Sequence, residues 1–177
     1  SVTHIGKLAF YGCSNLTTIT IPSNVVEIGD SAFSGCVGLT EIAIPNSVSS
    51  IGGRAFSECT GLTEVSIPDS VTSIGGSAFY GCTGLTNIVI PNSVTSLGKA
   101  AFNRCISLTD VTLPASLDAN SFAGCTSISH ITLVGKSEMY DYDLRDPIHE
   151  TNFKPWYVGF KAGNEVTIDI QEGITII

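Results

Sequence analysis

Residues 67–82 read IPDSVTSIGGSAFYGC. The phrase returns 23 residues later at Ile90-Pro91-Asn92-Ser93-Val94, and it stands 23 residues earlier as Ile44-Pro45-Asn46-Ser47-Val48. The same interval separates Cys13, Cys36, Cys59, Cys82 and Cys105, after which Cys125 follows a shorter step of 20. Phe10, Phe33, Phe56, Phe79 and Phe102 keep the step of 23, with Phe122 again 20 further on, and Pro22, Pro45, Pro68, Pro91 and Pro114 keep the step of 23 throughout. Self-similarity at a fixed period of this size is the signature of a repeat architecture. One unit cannot bury its own apolar side chains, but stacked copies bury them against each other, so the period predicts a solenoid.

Each unit carries L-x-x-I-x-I, as in Leu39, Ile42 and Ile44, or Leu62, Val65 and Ile67. Alternation across 42–44 predicts a strand whose residues 42 and 44 face inward while 41, 43 and 45 face outward. Proline closes the strand because it has no N–H to give to a ladder. Val48 and Ile51 are then expected to point inward again, and Gly52 to permit a tight bend. Ala55, Phe56 and Cys59 recur at i, i+1 and i+4, which suits a short helical or 3-10 segment on the opposite side.

These residues resemble the leucine-rich repeat superfamily. The L-x-x-I-x-I strand, the following I-P, the V-x-x-I-G and the A-F-x-x-C are together similar to its BspA-like class, over residues 1–134. The resemblance implies a curved leucine-rich-repeat solenoid, with a parallel β-sheet on the concave face and short helical, 3-10 or irregular segments on the convex face. It also implies a surface or secreted protein, of the kind found mostly in host-associated bacteria and in some protists, that works in adhesion and protein binding and not in catalysis, and no cofactor is expected.

The pattern breaks twice. The sixth unit is three residues short, because Leu117-Asp118-Ala119-Asn120-Ser121-Phe122 replaces V-x-S-I-G-x-x-A-F, so that turn is expected to be tightened or distorted. Residues 1–134 hold 12 charged side chains and residues 135–177 hold another 12, so composition changes at that point. Ile168, Ile170, Ile174 and Ile177 nevertheless repeat the spacing of Ile42, Ile44, Val48 and Ile51. The expected organisation is a tandem array over 1–134, an insertion over 135–163, and the start of a further repeat over 164–177. The chain begins and stops at one phase of the repeat, as expected of a segment of a longer array.

The totals narrow the classes of function. The chain has 177 residues, is 43% hydrophobic and 14% charged, and carries a net charge of −8. It is too apolar for a disordered chain. Its acidity argues against nucleic acid or an anionic membrane as partner. No apolar run approaches the roughly 20 residues that span a bilayer. Six cysteines invite a disulfide or metal reading, but the nearest two are 20 apart, and metal sites favour close pairs. One cysteine per unit predicts a single inward column of buried thiols that behave as small hydrophobes. His4, His130 and His149 have no partner at a motif spacing, and G-x-S-x-G, H-E-x-x-H and a phosphate loop are all absent.

What remains is the outward strand face. Its first column reads Thr18, Glu41, Glu64, Asn87, Asp110 and His130, and its second reads Thr20, Ala43, Ser66, Val89, Thr112 and Thr132. Glu41, Glu64, Asn87, Asp110 and His130 are candidate contacts for a macromolecular partner, a protein or glycan surface of a host or neighbouring cell. The alternative is a polar face that merely keeps exposed strands solvated. A flat face of small residues suits such a surface better than a small molecule. Tyr140 and Tyr142 are secondary candidates, whereas Trp156, Tyr157 and Phe160 read as a seal over the interrupted core. A further alternative is a structural spacer that presents another domain. The column Thr17, Thr40, Thr63, Thr86 and Thr109 is expected to satisfy backbone groups at the entry to each strand.

Overall fold

The computed structural model describes residues 1–117, 119–135, 137–139, 167–170 and 174–176. In chain order the strands are β1 His4–Ile5, β2 Glu27–Ile28, β3 Glu41–Ala43, β4 Ser50–Ile51, β5 Glu64–Ser66, β6 Ser73–Ile74 and β7 Asn87–Val89. They continue as β8 Ser96–Leu97, β9 Asp110–Pro114, β10 His130–Val134, β11 Ser137–Met139, β12 Thr167–Ile170 and β13 Ile174–Ile176. Every pairing among them is parallel. The chain is a parallel β-solenoid, and each 23-residue unit is one turn of it.

The I-x-I strands form two parallel ladders, β3-β5 and β7-β9-β10-β12, where one continuous sheet was expected. Glu41 pairs with Glu64, Asn87 with Asp110, and Asp110 with His130. Ile42, Val65, Ile88, Val111 and Ile131 are buried beneath them, as the alternation requires. A second sheet runs β1-β2-β4-β6-β8, two residues per strand, at the V-x-S-I segment. Strands this short hold no period for a sequence pattern to reveal, and this sheet was not expected.

The turn segment between I-G and Cys is not helical. Ala55, Ser57 and Cys59 donate their N–H to the carbonyl three residues back, at 3.3, 3.1 and 3.2 Å. The alternate residues Arg54, Phe56 and Glu58 donate to Gly76, Ala78 and Tyr80 of the next turn, at 3.0, 2.7 and 2.7 Å. Half the N–H groups therefore serve the neighbouring turn, and a helix would need them internally. Among the described residues only Ala119–Phe122 forms a 3-10 helix, and it lies in the shortened sixth unit.

Gly52 has a role other than the expected tight bend. Its backbone is not left-handed; instead, a Cβ there would lie 2.6 Å from the Asp30 nitrogen and 2.7 Å from the Gly29 carbonyl carbon. Glycine is required because the preceding turn passes too close for any side chain. The left-handed residues are elsewhere in the turn, at Ser31, Arg54, Ser77 and Ala100, and at Gly35, Glu58, Gly81 and Arg104.

The core is a set of columns. Phe10, Phe33, Phe56, Phe79, Phe102 and Phe122 form one continuous stack, with successive centroids 5.0 to 5.3 Å apart. Five cysteines form a buried column beside it, and all six are free thiols. Cys13 departs from the expected inward column and is exposed.

Beyond β10, β12 pairs with β10 and β13 pairs with β11. Residue 130 stands beside 167 and residue 137 beside 174, so both pairings run at one offset of 37. Most of the expected insertion, including Tyr140, Tyr142, His149, Trp156, Tyr157 and Phe160, lies outside the described residues.

Candidate functional site

Three kinds of column carry polar side chains, and two of them serve the backbone. The threonine column does as expected: Thr63 and Thr109 hydroxyls donate to the Thr40 and Thr86 carbonyls, at 3.2 and 3.0 Å. A second hydroxyl column does the same one segment later, where Thr72 donates to the Ser49 carbonyl at 3.2 Å. Ser47 and Ser70 donate to the Val25 and Val48 carbonyls. The cysteines add a third device. Sγ of Cys59 donates to the Phe33 carbonyl at 3.1 Å, and Cys82 and Cys105 repeat this on Phe56 and Phe79 at 3.2 Å. Each thiol thus fills a lone pair on the carbonyl that also takes an N–H within its own turn. Burial pushes the Cys59 thiol up to about 12, with the neighbouring Cys36 adding to it. Cys36 and Cys82 are raised for the same first cause. These sulfurs are therefore held protonated, and a thiolate is what a nucleophile or metal ligand needs.

The third kind of column is the outward row of the I-x-I strands. Pairing sets Glu41 beside Glu64 on β3 and β5, and Asn87, Asp110 and His130 side by side on β7, β9 and β10, while β5 packs next to β7. The first four are exposed and His130 is half-buried. Neighbouring strands lie about 4.8 Å apart, so Glu41 and Glu64 place like charges directly opposite. The Asp110 carboxylate accepts the Thr109 hydroxyl at 2.6 Å, and the Asn87 amide reaches the Thr86 hydroxyl at 3.4 Å. The second column runs Ala43, Ser66, Val89, Thr112 and Thr132, in which Val89 is an exposed apolar side chain.

Two further residues continue the row. Thr167 stands beside His130 and Asp169 beside Thr132, both exposed, and the Asp169 carboxylate lies 3.2 Å from Nε2 of His130. The signal for them was present: the spacing that aligns Ile168 and Ile170 with Ile42 and Ile44 also sets 167 and 169 beside 41 and 43. Among the described residues no group of three His, Cys, Asp or Glu side chains is arranged to hold a metal ion. No helix there is long and apolar enough to cross a membrane.

Stacked 23-residue turns, aliphatic, phenylalanine and cysteine columns and an exposed strand face together define a leucine-rich-repeat solenoid. The chain belongs to the BspA-type leucine-rich repeat family, whose model matches six copies over residues 1–83 and 54–143. A leucine-rich repeat protein of T. pallidum shares 34% identity with a TM-score of 0.66, over 78% of this chain and 67% of that one. A leucine-rich cell surface protein of Faecalibacterium prausnitzii shares 30% identity with a TM-score of 0.62, over 75% of this chain and 45% of that one. The pneumococcal vaccine antigen PcpA, at 19% identity, shares the fold with a TM-score of 0.67, over 94% of this chain and 44% of that one. This chain therefore spans about two thirds of the first of these proteins and less than half of the other two. No curated protein matches the sequence.

Proposed function

We propose that the chain is a non-enzymatic interaction module of a bacterial cell-surface or secreted protein. It binds a macromolecular partner, a protein or glycan surface, through the row Glu41, Glu64, Asn87, Asp110 and His130. One observation carries this reading. Within the turn, nearly every recurring residue has a duty to the core or to a backbone group, and those positions keep their identity from unit to unit. The outward row has no such duty, and its identity changes at almost every strand. Like charges kept opposite each other, as at Glu41 and Glu64, cost a little stability that a solvated face alone does not need. The description of the F. prausnitzii relative as a cell surface protein supports the location. Burial raises the Cys36, Cys59 and Cys82 thiols, which supports a structural role for that part of the cysteine column.

The test is binding of the chain to an array of matrix proteins and glycans, beside a variant carrying Glu41→Lys, Glu64→Lys and Asp110→Lys. The expected result is saturable binding that the variant loses while keeping its thermal transition. Equal binding by both would move recognition off this row. No binding by either would favour a spacer that presents another domain.

A further inference from the structure

Glu58 and Arg104 stand where the repeat otherwise places glycine. The column runs Gly12, Gly35, Glu58, Gly81, Arg104 and Gly124, and all six are left-handed, with φ 59° at Glu58 and 62° at Arg104. A side chain in that conformation is strained. The two exceptions flank one turn, and their charged ends rest on it. The Glu58 carboxylate lies against Gly81, where a Cβ would meet Oε1 at 2.7 Å and Oε2 at 2.9 Å. The Arg104 guanidinium carbon lies 5.9 Å from the ring centroid of Tyr80, within the range of a cation–π contact. Glu58 and Arg104 are exposed and Tyr80 is half-buried. The ion pair found among the described residues is His130–Asp169, so these two charges are not paired with each other.

The surroundings are basic. Lys7, Arg54, Lys99 and Arg104 are all the lysines and arginines of residues 1–134. Each lies between the glycine and the cysteine of its turn, and each is exposed. The acids of this segment are Asp30 and Glu58, and Asp30 already accepts the Gly53 N–H at 2.8 Å. The strand row, by contrast, holds Glu41, Glu64 and Asp110 and no lysine or arginine. In a chain of net charge −8, the turn edge is therefore the side least repulsive to an anion.

We propose that Glu58, Tyr80 and Arg104 form a recognition site for an acidic sugar of a glycan, distinct from the strand row. A guanidinium presents its donors in a planar fork that matches a carboxylate in two parallel bonds, and contact with Tyr80 holds it in place beforehand. The ionised Glu58 has only acceptors to offer, so it selects a group that donates. A uronic or sialic sugar carries both, a carboxylate and hydroxyls, on one ring. Its single charge meets the basic edge, whereas a polyanion also meets the repulsion of the whole acidic chain. Keeping two strained side chains, where the turns beside them use glycine, trades stability for recognition.

Titration of the full chain with methyl glucuronide tests this, followed by NMR shifts of the Arg104 side-chain N–H and the Gly81 amide. The shifts should saturate. Methyl glucoside, which lacks the carboxylate, should bind about ten-fold more weakly, the loss of one hydrogen bond to a charged group. Glu58→Gly and Arg104→Gly restore the residue that the backbone prefers, so both should stay folded and lose the saturable shift at Gly81. Shifts that never saturate would overturn the proposal, as would a saturable shift that persists unchanged in Arg104→Gly. So would equal affinity for acetyl-glutamate amide, which would assign the site to carboxylates of a protein. The strand row shares no residue with this site, so either reading can fail alone.

Discussion

Phe79 stacks on Phe102 with ring centroids 5.0 Å apart and planes only 2° from parallel. On its other side Phe56 lies 5.2 Å away, so each ring in the middle of the column is covered on both faces by its equivalents in adjacent turns. In an array where each unit touches only its neighbours, such a contact is an interface between units as well as core.

Removing one ring should therefore be costly. Phe79→Ala is expected to lose about 3–5 kcal/mol, the range for a buried aromatic replaced by alanine. Phe79→Leu should lose less, because it refills most of the volume. Urea unfolding of both variants checks this, and a loss below about 1 kcal/mol for the alanine would contradict a fully buried ring.

Glu58 occupies a left-handed position, φ 59°, where the equivalent residues Gly35 and Gly81 are glycine. A side chain there costs roughly 1–2 kcal/mol. Glu58→Gly should accordingly raise stability by about 1 kcal/mol, whereas Glu58→Ala should not, since alanine keeps the same clash. Parallel denaturation curves separate relief of the backbone from simple removal of a carboxylate.

Gly52→Ala should be destabilising by about 1–3 kcal/mol, as for other overpacked sites. The cause is contact with the Asp30 nitrogen and Gly29 carbonyl carbon of the preceding turn. Gly53→Ala is the control, because the atoms nearest a Cβ there lie at 3.5 Å, which is ordinary contact. Similar melting temperatures for the two variants would remove the close-approach argument.

The thiols predict a labelling pattern and an alkaline limit. A maleimide should add once to the native chain, at exposed Cys13, and six times in denaturant. Cys59 is raised from 9.0 to about 12, so between those pH values the unfolded chain has lost a proton that the native chain keeps. Stability is then intact below about pH 9 and falls as pH rises toward 12, by up to about 1.4 kcal/mol per pH unit for each such thiol. Cys36 and Cys82 shift in the same direction and add to the slope. Cys59→Ala should flatten the slope of stability against pH in this window.

Much of the molecule was legible in the sequence. The 23-residue spacing of Phe, Cys and Pro set the length of a turn, and the alternation Glu41-Ile42-Ala43-Ile44 set which side chains face the core. The same alternation placed Glu41, Glu64, Asn87, Asp110 and His130 in one row, because side chains of a strand alternate whatever the strand packs against. That the row is a binding site remains the proposal above, since alternation places a side chain without giving it a partner.

Other features belong to the tertiary structure, and one physical reason joins them: each depends on what the next turn supplies. Ala55, Phe56 and Cys59 recur at a helical spacing, yet the next turn takes half of the N–H groups nearby, so turns form instead of a helix. Gly52 was legible as a needed glycine, but the need comes from the backbone of the turn before it. The β1-β2-β4-β6-β8 ladder exists only because two residues per turn meet their equivalents across turns. His130 and Asp169 lie far apart in the chain, and only the pairing of β10 with β12 brings them within 3.2 Å. The sequence by itself determined the unit, its inside and its outside, because those follow from local periodicity. Tertiary structure decided the hydrogen-bond partners and the close approaches, because those are set by the separation between one turn and the next.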